Sequence, residues 1–393
     1  MFTLSRSDRE ELVEFLQDLI RTPSPSTQEE AVAIRIAAAM RRVGFREVFT
    51  DRIGNVIGRY GSGRGPILLY NGHMDTVGIS DPEAWQRDPY GGEVEDGIIY
   101  GRGVADMKGA IAAMIYGVKM LAEARVRLKG DLVVACVVQE EPCEGLAMQV
   151  LIEEEGLRPD WVVLGEATNL QISRGHRGRL EMQVTTHGRS CHASNPDLGE
   201  NAIYAAARLI FGLELLADKL GYDPFLGRGT LAVTHVESSA SSRNAIPDRA
   251  SFIIDRRLTL GETEAKALSE VQGIILREGV RAEVEVTEYR ATSYTGYEAR
   301  QRAYYPAWAL EEGHPLIKTL ARTIRNTLGY RPTIGQWAFS TDGAYTMGVA
   351  GIPTVGFGPG EERYAHTADE QLRLEDLFKA ASVYAALAVE MLA

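Results

Sequence analysis

Three short runs in the first half of the chain are apolar at every position: Ile67-Leu68-Leu69, Leu132-Val133-Val134-Ala135-Cys136-Val137-Val138 and Trp161-Val162-Val163-Leu164. A strand without polar alternation has no face to offer to water, so these runs require a sheet covered on both sides. A nearly wholly apolar helix over residues 107–124 supplies part of that cover. Further helices are expected over 8–21, behind a capping box at Ser7-Asp8-Arg9-Glu10, and from a second cap at Thr27 with Glu30. Strand-like segments lie near 46–49 and 54–60. The strand Pro353–Phe357, with helices over 315–328 and 371–392, restores the same texture at the far end of the chain.

The texture between them differs. Leu180-Glu181-Met182-Gln183-Val184 alternates, as a strand buried on one face does. From there the order is strand (180–186), helix (201–219), strand (231–237), strand (251–258), helix (263–277) and strand (282–288). That order is the ferredoxin-like βαββαβ unit. The expected fold is therefore an α/β domain with a mixed sheet and helices on both faces, built from residues 1–178 and 291–393, with a ferredoxin-like domain inserted at 179–290. A chain of 393 residues suits two domains.

With 42 basic against 54 acidic residues, the net charge of −12 disfavours nonspecific binding to nucleic acid or anionic membrane. Cys136, Cys143 and Cys191 are too few for a disulfide framework and fit no thiolate metal site. Together with the lack of an apolar leader or membrane-length segment, they point to a reduced, cytoplasmic setting.

The chemistry concentrates where apolar strands end. His73 and Asp75, two positions apart after the first run, project to one side of the chain. Asp106 follows a glycine loop, Glu140-Glu141 and Glu166 follow the next two runs, and His366 follows the last strand. Each alone reads as a helix cap or surface group. Together they occupy the strand ends where open α/β sheets gather ligands. Two histidines with several carboxylates and no thiolate suit Zn²⁺, Co²⁺ or Mn²⁺. Five protein ligands exceed what one catalytic zinc uses, so two metals sharing a carboxylate are expected, with Asp106 as a reasonable bridge. Adjacent residues on an extended chain point opposite ways, so one of Glu140 and Glu141 can bind metal while the other stays free as a general base. That pairing suits metal-assisted hydrolysis. Phosphoester hydrolysis is disfavoured because no phosphate-cradling loop or basic cluster accompanies these residues. A binding protein without turnover is disfavoured because every position carries a competent side chain.

The motifs resemble those of the zinc aminoacylase/carboxypeptidase family, which includes acetylornithine deacetylase, succinyl-diaminopimelate desuccinylase, aminoacylase and glutamate carboxypeptidase. They are Gly72-His73-Met74-Asp75-Thr76-Val77, Gly101–Gly109, Gln139-Glu140-Glu141, Gly165-Glu166-Ala167-Thr168, and Gly358-Pro359-Gly360 ahead of Ala365-His366-Thr367. Val138–Gly145, Arg177-Gly178-Arg179 and Asp255–Thr259 look most like the YgeY-type peptidase branch.

The resemblance implies that His73, Asp106 and Glu166 hold one metal, and that Asp106, Glu141 and His366 hold the other. It implies that Asp75 supports His73 and that Glu140 is the base. It also implies that the inserted domain forms a homodimer, in which His192 reaches the partner's site to stabilise an oxyanion. The expected activity is hydrolysis of an amide bond in a small N-acyl, N-carbamoyl or peptidyl amino acid, with strict dipeptidase or carboxypeptidase action as the alternative. Ala344 stands where the family often has a substrate-binding arginine, leaving Arg257, Asn244 and Arg177 as candidates to contact a substrate carboxylate.

Overall fold

The computed structural model describes residues 2–393. Its larger sheet has nine strands. Along the sheet run Glu47–Thr50, Val56–Gly61, Asp131–Val137, Ile67–His73, Trp161–Leu164, Thr354–Gly356, Ile172–His176 and Trp308–Ala309, and Ile334–Trp337 also pairs with Ile172–His176. The four strands from Asp131–Val137 to Thr354–Gly356 are parallel, and the pairings of the outer strands Glu47–Thr50 and Val56–Gly61 are antiparallel. Every residue of Asp131–Val137 is buried, as the unbroken apolar run from Leu132 requires. The helices Gly109–Glu123 and Leu374–Leu392 pack on each other and on Ile67–His73. Gly72 lets that strand approach, because a Cβ there would lie 3.0 Å from both Ile111 and Met107.

The smaller sheet is antiparallel, in the order Thr230–Ser238, Arg249–Leu258, Gly178–His187 and Ala282–Val286, with Tyr304–Tyr305 also pairing to Gly178–His187. Burial alternates along Gly178–His187. Leu180, Met182 and Val184 face the helices Ala202–Ala217 and Glu264–Glu278 in a core separate from that of the larger sheet. This strand order and helix placement are ferredoxin-like, with element bounds within two residues of those read from the periodicity.

Local corrections are instructive. The first helix, Arg6–Ile20, is capped by Ser5 with Asp8 rather than from Ser7. The second, Glu30–Val43, has no side-chain cap. Thr27 sits at φ 73°, and Glu29 is drawn inward to accept from the amides of Thr27 and Gln139. The tyrosine-rich stretch after the insertion forms a hairpin of Glu288–Thr292 with Glu298–Arg302. Its Tyr289 hydroxyl donates to Gln139 Oε1 (2.8 Å), and its Tyr294 hydroxyl donates to the Gly54 carbonyl (2.7 Å). Among the described residues no helix is long and apolar enough to cross a membrane.

Candidate metal centre

The carboxyl ends of the parallel strands converge on one cavity of about 390 Å³, lined by Asp106, Glu140, Glu141, Glu166 and His366. His73, the last residue of its strand, is held from both sides. Its Nδ1 lies 2.9 Å from the Asp75 carbonyl oxygen and its Nε2 lies 2.9 Å from Asp106 Oδ1. Glu166 Oε1 is 3.8 Å from the same Nε2. The other oxygen of Asp106 lies 3.3 Å from His366 Nε2, which is 3.0 Å from Glu141 Oε2. Two potential ligand groups result, His73–Asp106–Glu166 and Asp106–Glu141–His366, and Asp106 is common to both.

Asp106 gets this position from an irregular turn rather than from the helix start. The regular helix begins at Gly109, and Asp106 has extended backbone angles (φ −131°, ψ 89°) ahead of a cis peptide to Met107. Buried Glu370 holds the turn. It accepts from Arg102 Nη1 (2.7 Å) and from the amides of Gly103, Ala105 and Asp106 (3.0, 2.9 and 3.1 Å). His366 adopts φ 61°, uncommon outside glycine and typical of residues held in place at functional sites.

Glu140 and Glu141 both reach the cavity, for a different reason from the one expected. Their strand stops at Val137, and Gln139 (φ 55°) leads into a turn closed by Cys143 N donating to the Glu140 carbonyl at 3.0 Å. The turn, not an extended backbone, spreads the two side chains. Asp75 anchors it, accepting from the amides of Glu140 (3.1 Å) and Glu141 (3.3 Å) and from Ser26 Oγ (2.7 Å). Asp75 thus steadies His73 mainly through its backbone carbonyl, while its carboxylate serves the two glutamates.

The electrostatics fit a dication. Burial pushes the carboxyls of Glu140 and Glu166 well above their ordinary range. Burial and the nearby Asp106 charge raise Glu141 as well. Burial opposes a charged His73, yet the Asp106 carboxylate holds its imidazole well above the usual range. Hydrogen bonds to Asp106 and Glu141 lift His366 to about 10. Crowded acids that hold protons in this way are what a divalent cation displaces when it binds. Two imidazoles and three carboxylates without thiolate suit Zn²⁺, Co²⁺ or Mn²⁺.

The remaining candidates separate. Arg257 lines the cavity, with Nε and Nη2 donating to Asp255 at 2.8 and 3.1 Å. Arg177 does not line it and donates to the Arg228 carbonyl. Exposed His192 and Asn244 lie together on the inserted domain, away from this cavity. His192 pairs with Ala245 across a two-residue ladder, and Ala193 N donates to the Asn244 carbonyl. Ala344 is buried in the short helix Gly343–Thr346 and does not line this cavity. Reasoning from sequence passes over Arg179, Glu144, Ser26 and Glu370 as functional residues. Arg179 and Glu144 carry a signal there, as members of Arg177-Gly178-Arg179 and Val138–Gly145; Ser26 and Glu370 carry none.

Residues 69–390 match the profile of Peptidase family M20/M25/M40. The uncharacterized protein YgeY of Escherichia coli K12 is 39% identical over 383 residues, covering 98% of this chain and 95% of that protein. Among solved structures, an M20 family metallo-carboxypeptidase, Sso-CP2 from Sulfolobus solfataricus, superposes with a TM-score of 0.77 at 18% identity, over 97% of this chain and 99% of that one. A tripeptidase from Staphylococcus aureus gives 0.75 at 20% identity, over 100% and 99%. With its family profile, a relative of nearly equal length and the same fold all in agreement, the chain belongs to peptidase family M20/M25/M40.

Proposed function

We propose that this chain is a dinuclear metal-dependent hydrolase that cleaves an amide bond in a small N-acyl, N-carbamoyl or peptidyl amino acid. The observation that carries the reading is Asp106, whose two oxygens each face a different histidine while Glu140 lines the same cavity. His73, Asp106 and Glu166 would hold one ion, and Asp106, Glu141 and His366 the other, with zinc the best fit to the donor set. When bound, such ions supply an acidified water and a polarised scissile carbonyl.

The chain's own residues do the rest. Glu140 is the one cavity glutamate among Glu140, Glu141 and Glu166 that belongs to neither ligand group, so it is free to take a proton from the attacking water and return it to the leaving nitrogen. Asp75 fixes the turn that aims it. His192 would come from a second copy and donate to the developing oxyanion. Support for that copy comes from the inserted domain. Its helix Ala202–Ala217 exposes Tyr204, Phe211 and Leu215, and the sheet's outermost strand Thr230–Ser238 exposes Val236. Three free cysteines accord with a cytoplasmic location.

Glu140→Gln should keep its metal content and lose at least ~100-fold in kcat. A fully active variant would overturn the mechanism. Dipeptides and N-acetyl, N-succinyl and N-carbamoyl amino acids, tested side by side, decide between peptidase and deacylase action.

A further inference from the structure

The turn that carries Glu140 and Glu141 is held at both ends by the tyrosine-rich hairpin, through one rung of its ladder. Tyr289 and Gln301 are directly opposed across the strands Glu288–Thr292 and Glu298–Arg302, so their side chains project from the same face. The Tyr289 hydroxyl donates to Gln139 Oε1 (2.8 Å), and Gln301 Nε2 donates to the Glu144 carbonyl (3.3 Å). Gln139 and Glu144 stand at the two ends of the turn, with both glutamates between them.

The rung's own position is fixed elsewhere. At the root of the hairpin, Val286 pairs with Met182 and Tyr304 with Leu180, so both legs grow out of the smaller sheet. At its tip, Tyr294 donates to the Gly54 carbonyl (2.7 Å), Thr295 Oγ1 to the Arg52 carbonyl (2.6 Å) and Tyr297 to Glu154 Oε1 (2.6 Å). An arm anchored at root and tip presents Tyr289 at a set place instead of following the turn.

The chemistry of Gln139 makes this contact more than packing. Its side chain is fully buried, and among the described residues the Tyr289 hydroxyl is its sole hydrogen-bond partner, because its Nε2 has none. A buried amide with so few bonds costs stability that an apolar side chain would not. Its backbone sits at φ 55°, a conformation that a residue other than glycine keeps only where its surroundings enforce it. The Gln139 amide is tied to Glu29 Oε1 (3.1 Å) and its side chain to Tyr289. Those two bonds define the conformation that the next residue, Glu140, inherits, and a rotation at Gln139 would swing the Glu140 carboxylate across the cavity.

We propose that Tyr289 is a positioning residue, which through Gln139 fixes the turn that aims Glu140 at the reacting atoms. This rests on the hydrolase reading, in which Glu140 is the base. It also makes the inserted domain part of the base's support, since the hairpin continues the smaller sheet.

Hydrogen exchange and steady-state kinetics test this together, on zinc-loaded protein with metal content verified. The amides of Gln139, Glu140, Glu141 and Cys143 each donate to a fixed acceptor. Tyr289→Phe keeps the ring and loses only the hydroxyl. In it these amides should exchange ~5–10-fold faster, as the loss of one hydrogen bond allows. With the most active member of the dipeptide and N-acyl panel as substrate, kcat should fall ~10-fold and KM stay within about twofold, since aim and not affinity is lost. Gln139→Met should behave alike. The double variant Tyr289→Phe/Gln139→Met should be no slower than either single one, because both break the same link. Exchange in Tyr289→Phe within about twofold of wild type overturns the proposal. A loss confined to KM, or a double variant whose loss is the product of the two single losses, overturns it equally. Glu140→Gln is measured beside them to keep the two readings apart. Should it retain full turnover, the base assignment falls, whereas an inactive Glu140→Gln with an unaltered Tyr289→Phe strikes the positioning role alone.

Discussion

Asp75 shows how a side chain can stand out in a sequence while its contacts stay hidden there. Its spacing from His73 put both on one side of the chain, and they do meet, but through the Asp75 carbonyl at 2.9 Å. The carboxylate points to the amides of Glu140 and Glu141, 65 and 66 positions further on. No local pattern announces that contact, because it depends on which strands become neighbours. The geometry has an experimental consequence. Asp75→Asn keeps the backbone carbonyl that orients His73 but presents an amide nitrogen to donors that need an acceptor. The affinity of the Asp106–Glu141–His366 group for metal should fall ~10–100-fold, the usual effect of disturbing a ligand's support, while the His73–Asp106–Glu166 group binds as before. A metal titration followed by calorimetry would resolve one unchanged and one weakened step. Two equally weakened steps would mean that the Asp75 carboxylate orients His73 after all.

At the scale of elements, apolar runs and alternation located the sheets well, and the hydrogen-bonding detail between them stayed hidden. The strand Ile172–His176 is an example. It joins the larger sheet immediately before Gly178–His187 opens the smaller one, and His176 closes the junction. His176 has no partner at ligand spacing in the sequence, and the structure gives it a junction contact instead. His176 is fully buried, its Nδ1 accepts from the Thr341 amide at 2.8 Å, and its Nε2 faces the Pro306 carbonyl at 3.3 Å. Burial pushes the imidazole down to about 3. The folded state therefore resists a proton that the unfolded chain accepts near 6.5, so stability is full above that pH and is lost as pH falls from 6.5 toward about 3. His176→Gln should be less stable than wild type at pH 8. The gap should narrow by about 1.4 kcal/mol per pH unit below 6.5. Urea unfolding at several pH values measures it; a gap independent of pH would mean that the imidazole takes a proton as readily in the fold as in the unfolded chain. The buried carboxyls are the same in both proteins, so comparing the two isolates His176.

The whole molecule poses the question that a single chain leaves open, namely where His192 acts. It is exposed, its Nδ1 is 2.7 Å from Ser194 Oγ, and it lies on the inserted domain away from the cavity of its own chain. The resemblance implies both the residue and its target in a partner's site, but no contact within one chain tests that target, because it belongs to an assembly rather than to a fold. If two copies associate through the inserted domain, each site takes its base from one subunit and its oxyanion donor from the other. Glu140→Gln and His192→Ala should then each be nearly inactive alone, the latter by ~100-fold or more as an oxyanion donor is removed. Mixed after reversible dissociation, they should recover activity. In a hybrid dimer, one site combines the intact Glu140 of the His192→Ala subunit with the intact His192 of the Glu140→Gln subunit, while the other site lacks both. Random pairing makes half the dimers hybrid with one working site each, so the mixture should reach about a quarter of wild-type kcat. A donor acting within its own chain predicts no recovery, since every site would then lack one of the two groups. Sedimentation of the mixture confirms that dimers have re-formed, so an inactive dimeric mixture would place His192 outside the partner's site.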